Sequence, residues 1–202
     1  PAGQIFVSVS LMKRRAAIIF TALFSWVYVG FAEVTITQLE DCFRVEIEGQ
    51  LFTEWQMKDC SVPYLYTLIG PDGENITRHY PKREDVEGES QDHPHHRSIR
   101  YSHRDINGAS FWSPNRPVND MHARVVLLEV SKMKSGEVGE LELLNSWQIN
   151  EKEIAKEMVR LEFHPLPNRE VLMDYDSTLQ ATTTDVTFAD NKDGGMSIRV
   201  AS

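Results

Sequence analysis

From Glu33 onward, apolar residues recur at every second position. Phe43, Val45 and Ile47 alternate with Arg44, Glu46 and Glu48, and Val159, Leu161 and Phe163 alternate with Arg160, Glu162 and His164. A period of two sends successive side chains to opposite faces, so each run predicts a strand with one wet face. The runs 125–128 and 141–144 read as more fully buried strands. Turn chemistry at Gly49-Gln50, Pro71-Asp72-Gly73, Lys134-Ser135-Gly136, Pro167-Asn168 and Asp193-Gly194-Gly195 falls at the intervals an antiparallel sheet needs. One stretch competes, because Asn150 could cap a helix in which Ile154 and Met158 lie four apart. The apolar beat switches to alternation at Val159 without a stop signal, so a hairpin turn over 150–153 feeding a strand is the better reading. The pattern predicts an all-β chain, an antiparallel β-sandwich. Its longest irregular stretch, 80–97, is where a site is expected, since long loops on rigid β scaffolds usually carry function.

The residues ahead of Glu33 follow a different logic. Met12 is followed by Lys13, Arg14 and Arg15, then by an uncharged run from Ala16 to Ala32 ending Val29-Gly30-Phe31-Ala32. A basic region, an apolar run and a small-x-small site in that order predict a cleaved export signal over 12–32. The run is short for a membrane span and includes Gly30, Thr21 and Ser25. Residues 1–11 read as an upstream over-extension, and 33–202 as the sandwich domain, truncated at its C-terminus. A periplasmic or extracellular location is expected, with no membrane span once the signal is removed.

The 202 residues are 41% hydrophobic and 25% charged, an ordinary globular composition that excludes a disordered, collagen-like or multi-span chain. The formal charge is −9, and removal of 32 residues with three basic and no acidic groups takes it to −12. Nucleic acid and anionic membrane surfaces are therefore not expected partners. The two cysteines, Cys42 and Cys60, lack zinc-knuckle spacing. Pairing in an oxidising compartment and two separate thiols both remain open.

Asp92-His93-Pro94-His95-His96-Arg97 places three of the chain's seven histidines in four positions, with His103, Asp105 and Asn107 close behind. Pro94 favours an extended His93, which would send His93 and His95 to one side and His96 to the other. His93, His95, His96 or His103 could act as general acid or base near neutral pH, with Arg97 holding an anionic or polyhydroxyl ligand. Alternatively, Asp92, His93 and His95 could hold a divalent transition metal, with His96 or His103 as other candidates for the third ligand. The bland alternative is a polar turn whose imidazoles bond the backbone.

Asn107-Gly108 reads as a tight turn and Phe111-Trp112 as the start of a strand. Trp112 is a candidate sugar platform or a core residue, and Arg78 a candidate for the same cleft. Lys192 and Arg199 flank the double glycine of 194–195 and could face a carboxylate or sugar hydroxyls. No nucleotide loop, nucleophile elbow or HExxH motif is present.

Taken in order, Pro63-Tyr64-Leu65-Tyr66, Gly70-Pro71-Asp72-Gly73, Thr77-Arg78, Tyr80-Pro81, Asp92-His93-Pro94-His95-His96-Arg97-Ser98, His103 with Asp105-Ile106-Asn107-Gly108, Phe111-Trp112, Lys192-Asp193-Gly194-Gly195 and Ile198-Arg199-Val200 resemble a secreted bacterial family often labelled PmoA-like or methane oxygenase PmoA. The resemblance spans 51–202 and implies an all-β sandwich from bacteria rich in polysaccharide-degrading genes. The label conflicts with the chain, since a genuine membrane monooxygenase subunit needs several apolar spans. A looser similarity, at the level of fold, is to galactose mutarotase-like supersandwich proteins. Where members of the PmoA-like family commonly carry His-Gly-Asp-Val-Asn-Gly, this chain has His103-Arg104-Asp105-Ile106-Asn107-Gly108.

The expectation is thus a secreted carbohydrate-active protein in which His93, His95, His96 or His103 supplies acid/base chemistry. Arg78, Arg97, Asp105, Asn107, Trp112, Lys192 and Arg199 are its candidate ligand-binding residues, and a carbohydrate or other small molecule is its partner. The alternatives are a histidine-ligated metalloenzyme, hydrolase or oxidase, and a non-catalytic glycan-binding module.

Overall fold

The structure, a computed structural model, describes residues 32–113, 120–183 and 185–201. The expected export signal and the upstream over-extension lie outside the described residues, apart from Ala32. No described helix is long and apolar enough to cross a membrane. The described residues form ten strands: β1 (Val34–Gln38), β2 (Cys42–Ile47), β3 (Gln50–Gln56), β4 (Tyr64–Leu68), β5 (Ile99–His103), β6 (Ala123–Lys134), β7 (Gly139–Ile149), β8 (Lys152–Pro165), β9 (Val171–Ala181) and β10 (Gly194–Ile198). They build a six-stranded sheet, ordered β1-β2-β3-β4-β5-β10, and a four-stranded sheet, ordered β6-β7-β8-β9. All sheet pairings are antiparallel, so the expected all-β, antiparallel sandwich is the fold.

The alternating runs close the sandwich. Phe43, Val45, Trp55, Leu65 and Ile99 from the first sheet share a buried cluster with Leu141, Leu143, Val159, Leu161 and Phe163 from the second. Phe52 meets Phe163 edge-on with ring centroids 6.1 Å apart, an arrangement aromatic pairs prefer. A second cluster gathers Ile106, Phe111, Val125, Trp147 and Ala155. Strand register sets a polar rank between the two, because β7 and β8 pair Leu143 with Val159, then Asn145 with Glu157, then Trp147 with Ala155. The buried Glu157 carboxylate accepts from Asn145 Nδ2 at 3.2 Å, Trp147 Nε1 at 2.8 Å and Ser177 Oγ at 2.6 Å.

Local expectations divide by cause. Asn150 and Glu151 both take positive φ, 48° and 65°, between β7 and β8, as a two-residue hairpin requires. The run 125–128 is not buried throughout: Val125 is, but Leu128 is 48% exposed, because Leu127 packs against the core and Leu128 falls at a bulge in the β6–β7 pairing. In 141–144 only Leu141 and Leu143 are buried, and Glu142 and Leu144 are half-buried on the other face. Gly194 and Gly195 are not a turn but the first residues of β10, paired with His103 and Ser102. A Cβ at Gly194 would overlap the His103 imidazole. Phe111 and Trp112 do not start a strand, and both backbone amides donate to the His103 carbonyl at 3.0 Å. Cys42 and Cys60 are free thiols.

Candidate functional site

The histidine-rich loop is shaped from behind by Arg78. The backbone around Arg78 is held by residue 199, whose carbonyl accepts from Arg78 N at 2.9 Å. The Arg78 side chain is fully buried. Its guanidinium donates to the carbonyls of Ser90, Asp92, His93 and His96 at 2.8–3.2 Å and to Asp92 Oδ1 at 2.7 Å. A buried arginine needs such acceptors to be tolerated. Arg78 is therefore a residue that positions the loop, not one that reaches into the cleft as expected.

Within the loop, His93 adopts φ 44°, and the His96 amide donates to the His93 carbonyl at 2.9 Å. Pro94 occupies the second position of this turn, where its fixed φ is favourable. The expected extended conformation is overturned, and with it the separation of His96 from the other two. The His93 and His96 rings stack at 4.9 Å, His95 meets His96 edge-on at 4.4 Å, and His93 and His95 are 5.7 Å apart.

Asp92 ties the cluster to two arginines. Its Oδ2 lies 2.7 Å from His93 Nδ1, and its Oδ1 accepts from Arg78, from Arg199 Nη2 at 2.9 Å and from Ser90 Oγ at 2.9 Å. The hydrogen bond to His93, then that to Ser90, holds the Asp92 carboxyl well below the usual carboxylate range. With Nδ1 engaged by Asp92, the His93 ring presents Nε2 for chemistry. Burial, then the nearby His93, Arg100, Arg199 and Arg78, pushes the His96 pKa down, so the neutral imidazole is favoured.

The rings open on a pocket of about 460 Å³ lined by His93, His95, His96, Arg104, Ser110, Trp112, Ser113, Lys192 and Asp193. Trp112 is half-buried in that wall, not in the core, and meets His96 edge-on at 5.4 Å. It is held by Arg100, whose Nη2 donates to the Trp112 carbonyl at 2.6 Å and whose guanidinium lies 5.1 Å from the indole centroid. Burial lowers the Arg100 pKa to about 10. Arg104 Nη1 bonds Asp193 Oδ2 at 2.7 Å across the pocket wall, which holds the Asp193 carboxyl below its usual value. Lys192 projects from the same segment and is exposed.

Other candidates fall elsewhere. His103 is outside the pocket lining, with Phe188 edge-on at 5.2 Å and its Nδ1 beside the Asp105 backbone. Asp105 Oδ1 accepts from Gly108 N at 2.9 Å, and Asn107 clamps the chain at Asp185 and Thr187. These two shape the turn rather than a ligand site. Arg97 bonds the Asp59 carbonyl at 3.1 Å and covers the Tyr64 ring. The Arg199 guanidinium reaches the site through Asp92. Sequence reasoning missed Arg100, Ser110, Ser113 and Asp193, and had Arg104 only as a bulky cation standing where the family carries glycine, beside the site. Among the described residues, the metal-ligating trio within 4.8 Å is Glu162, His164 and Asp174, on β8 and β9. Asp92, His93 and His95 do not form such a trio.

No curated protein and no solved structure matches the chain. Residues 42–202, which contain every side chain of the pocket, match a family of unknown function, DUF6807, and the chain belongs to that family.

Proposed function

We propose that the pocket binds a sugar and that His93, His95 and His96 perform acid/base chemistry on it. The observation that carries this reading is the placement of three clustered imidazoles, one oriented by a carboxylate, beside a half-exposed tryptophan in one cavity. An imidazole with one nitrogen fixed by Asp92 can accept or return a proton at the other. An aromatic face packs against the apolar face of a pyranose while hydroxyls meet Ser110, Ser113 and the imidazoles. The segment order resembling the secreted PmoA-like family and the export signal read over 12–32 support action on carbohydrate outside the cytoplasm.

The test is a carbohydrate library screened for binding and turnover with wild type, His93→Ala and Trp112→Ala. Binding lost in Trp112→Ala, with turnover but not binding lost in His93→Ala, is the expected result. Binding without turnover in any variant would leave a glycan-binding module, and no binding at all would sink the reading.

The Asp92–His93 hydrogen bond favours a second reading, because a carboxylate on the far nitrogen is how metal-ligating histidines are commonly oriented. Elemental analysis after purification without chelator or immobilised nickel separates the two. Near one equivalent of transition metal, lost in His93→Ala, would put the metalloenzyme first.

A further inference from the structure

We propose that the sugar recognised here is a monoanion, with its acid group seated on Lys192. The inference rests on the sugar-binding reading above and adds the ligand's charge. The chain as a whole is strongly acidic, at −9, yet the pocket reverses that sign. Lining it or bonded to its lining are Arg78, Arg100, Arg104 and Lys192, against two carboxylates, Asp92 and Asp193. A concave wall with an excess of one sign focuses its field on a bound ligand.

The cations are not equally available. Arg78 spends its terminal donors on loop carbonyls and Asp92. Arg100 donates to Trp112 and lies over its ring, Arg104 is bonded to Asp193, and Arg199 is bonded to Asp92. Among the described residues, Lys192 is the pocket-lining cation without an ion-pair partner in the protein. One compact ammonium matches one negative charge. A phosphate dianion is better served by several arginine forks or backbone amides, whereas here the Arg78 fork is filled by the loop and Arg104 already carries Asp193. The fitting acid groups are the carboxylate of a uronic acid and a sulfate ester, each carrying a single charge.

Calorimetric titration of the full chain with glucuronate, galacturonate, glucose 6-sulfate, glucose and galactose tests this. The expected result is that at least one acidic sugar binds fivefold or more tightly than its neutral counterpart. That ratio should fall close to one in Lys192→Gln and be retained in Lys192→Arg. Preference for the uronates over the sulfate identifies a carboxylate, and the reverse identifies a sulfate ester, either outcome supporting a monoanion. Equal affinity for acidic and neutral sugars overturns the inference while leaving the sugar-binding reading intact. Failure of all five sugars to bind, in wild type with an unchanged melting curve, overturns both. An acidic preference that survives in Lys192→Gln removes Lys192 from the role.

Discussion

Arg78 supports the candidate site without lining it. Four backbone carbonyls and one carboxylate oxygen converge on its two terminal nitrogens, so the turn that bunches the imidazoles exists because this guanidinium satisfies it. Arg78→Lys keeps the charge but loses the fork, leaving part-buried acceptors unpaired at a cost of about 1–3 kcal/mol. Urea unfolding should show that loss, and hydrogen exchange should show 90–96 opening ahead of the sheets. Unaltered exchange there would refute the positioning role. The histidine cluster was visible in the sequence because its residue types announce chemistry. Arg78's role was not, since arginine is usually exposed and the groups it binds are carbonyls that no residue type advertises. His96 carries a second prediction at this scale. Its neutral form is favoured in the fold, so the unfolded chain takes up a proton first as pH falls, and stability from this group is lost below the ordinary value of 6.5. The acid limb of any activity that needs neutral His96 should lie below 6.5, checked by NMR titration of the ring protons. A His96 titration at or above 6.5 would contradict the geometry.

At the scale of elements, β7 and β8 show what the chain's pattern encodes and what it leaves out. The alternation of 159–163 and the Asn150 turn were legible because a two-residue period and a positive-φ hairpin are local properties. The exposure of Leu128 was not, because the bulge that turns it outward is set by the pairing of β6 with β7 and not by the local run. The double glycine of β10 was misread for the same reason, since what Gly194 accommodates is His103 on β5, while Gly195 takes φ 94°. Glu157 is a further case, a carboxylate on the inward face of an otherwise apolar alternation. Its three donors come from β7 and β9, so it joins three strands at the rank between the two apolar clusters. Glu157→Gln replaces an acceptor oxygen with a donor amide facing donors and should cost about 1–3 kcal/mol. Equilibrium unfolding measures this, and a neutral substitution would show that the rank tolerates a donor.

For the whole molecule, overall charge and local surface pull in opposite directions. A net charge of −9 favours a dispersed, monomeric chain. The edges of the six-stranded sheet differ, however. At β1 the Val34 amide and carbonyl are bonded to Gly136, which closes that edge locally. At the opposite edge, β10 has β5 as its sheet neighbour, and its Met196 and Ile198 stand 46% and 59% exposed at alternate positions, hence on one face, whereas Val200 just beyond the strand is bridged to Thr77. An uncharged edge with an apolar face is a template for strand addition or face-to-face association. Charge repulsion between copies is screened by salt, whereas apolar contact is not. Association of the 202-residue chain should therefore grow with ionic strength, and Ile198→Lys, which puts a charge on the exposed face without removing a ladder hydrogen bond, should suppress it. Sedimentation velocity across a salt series decides the matter. Wild type that stays monomeric at high salt, or a variant that associates equally, would show that the charge of the whole chain outweighs the edge.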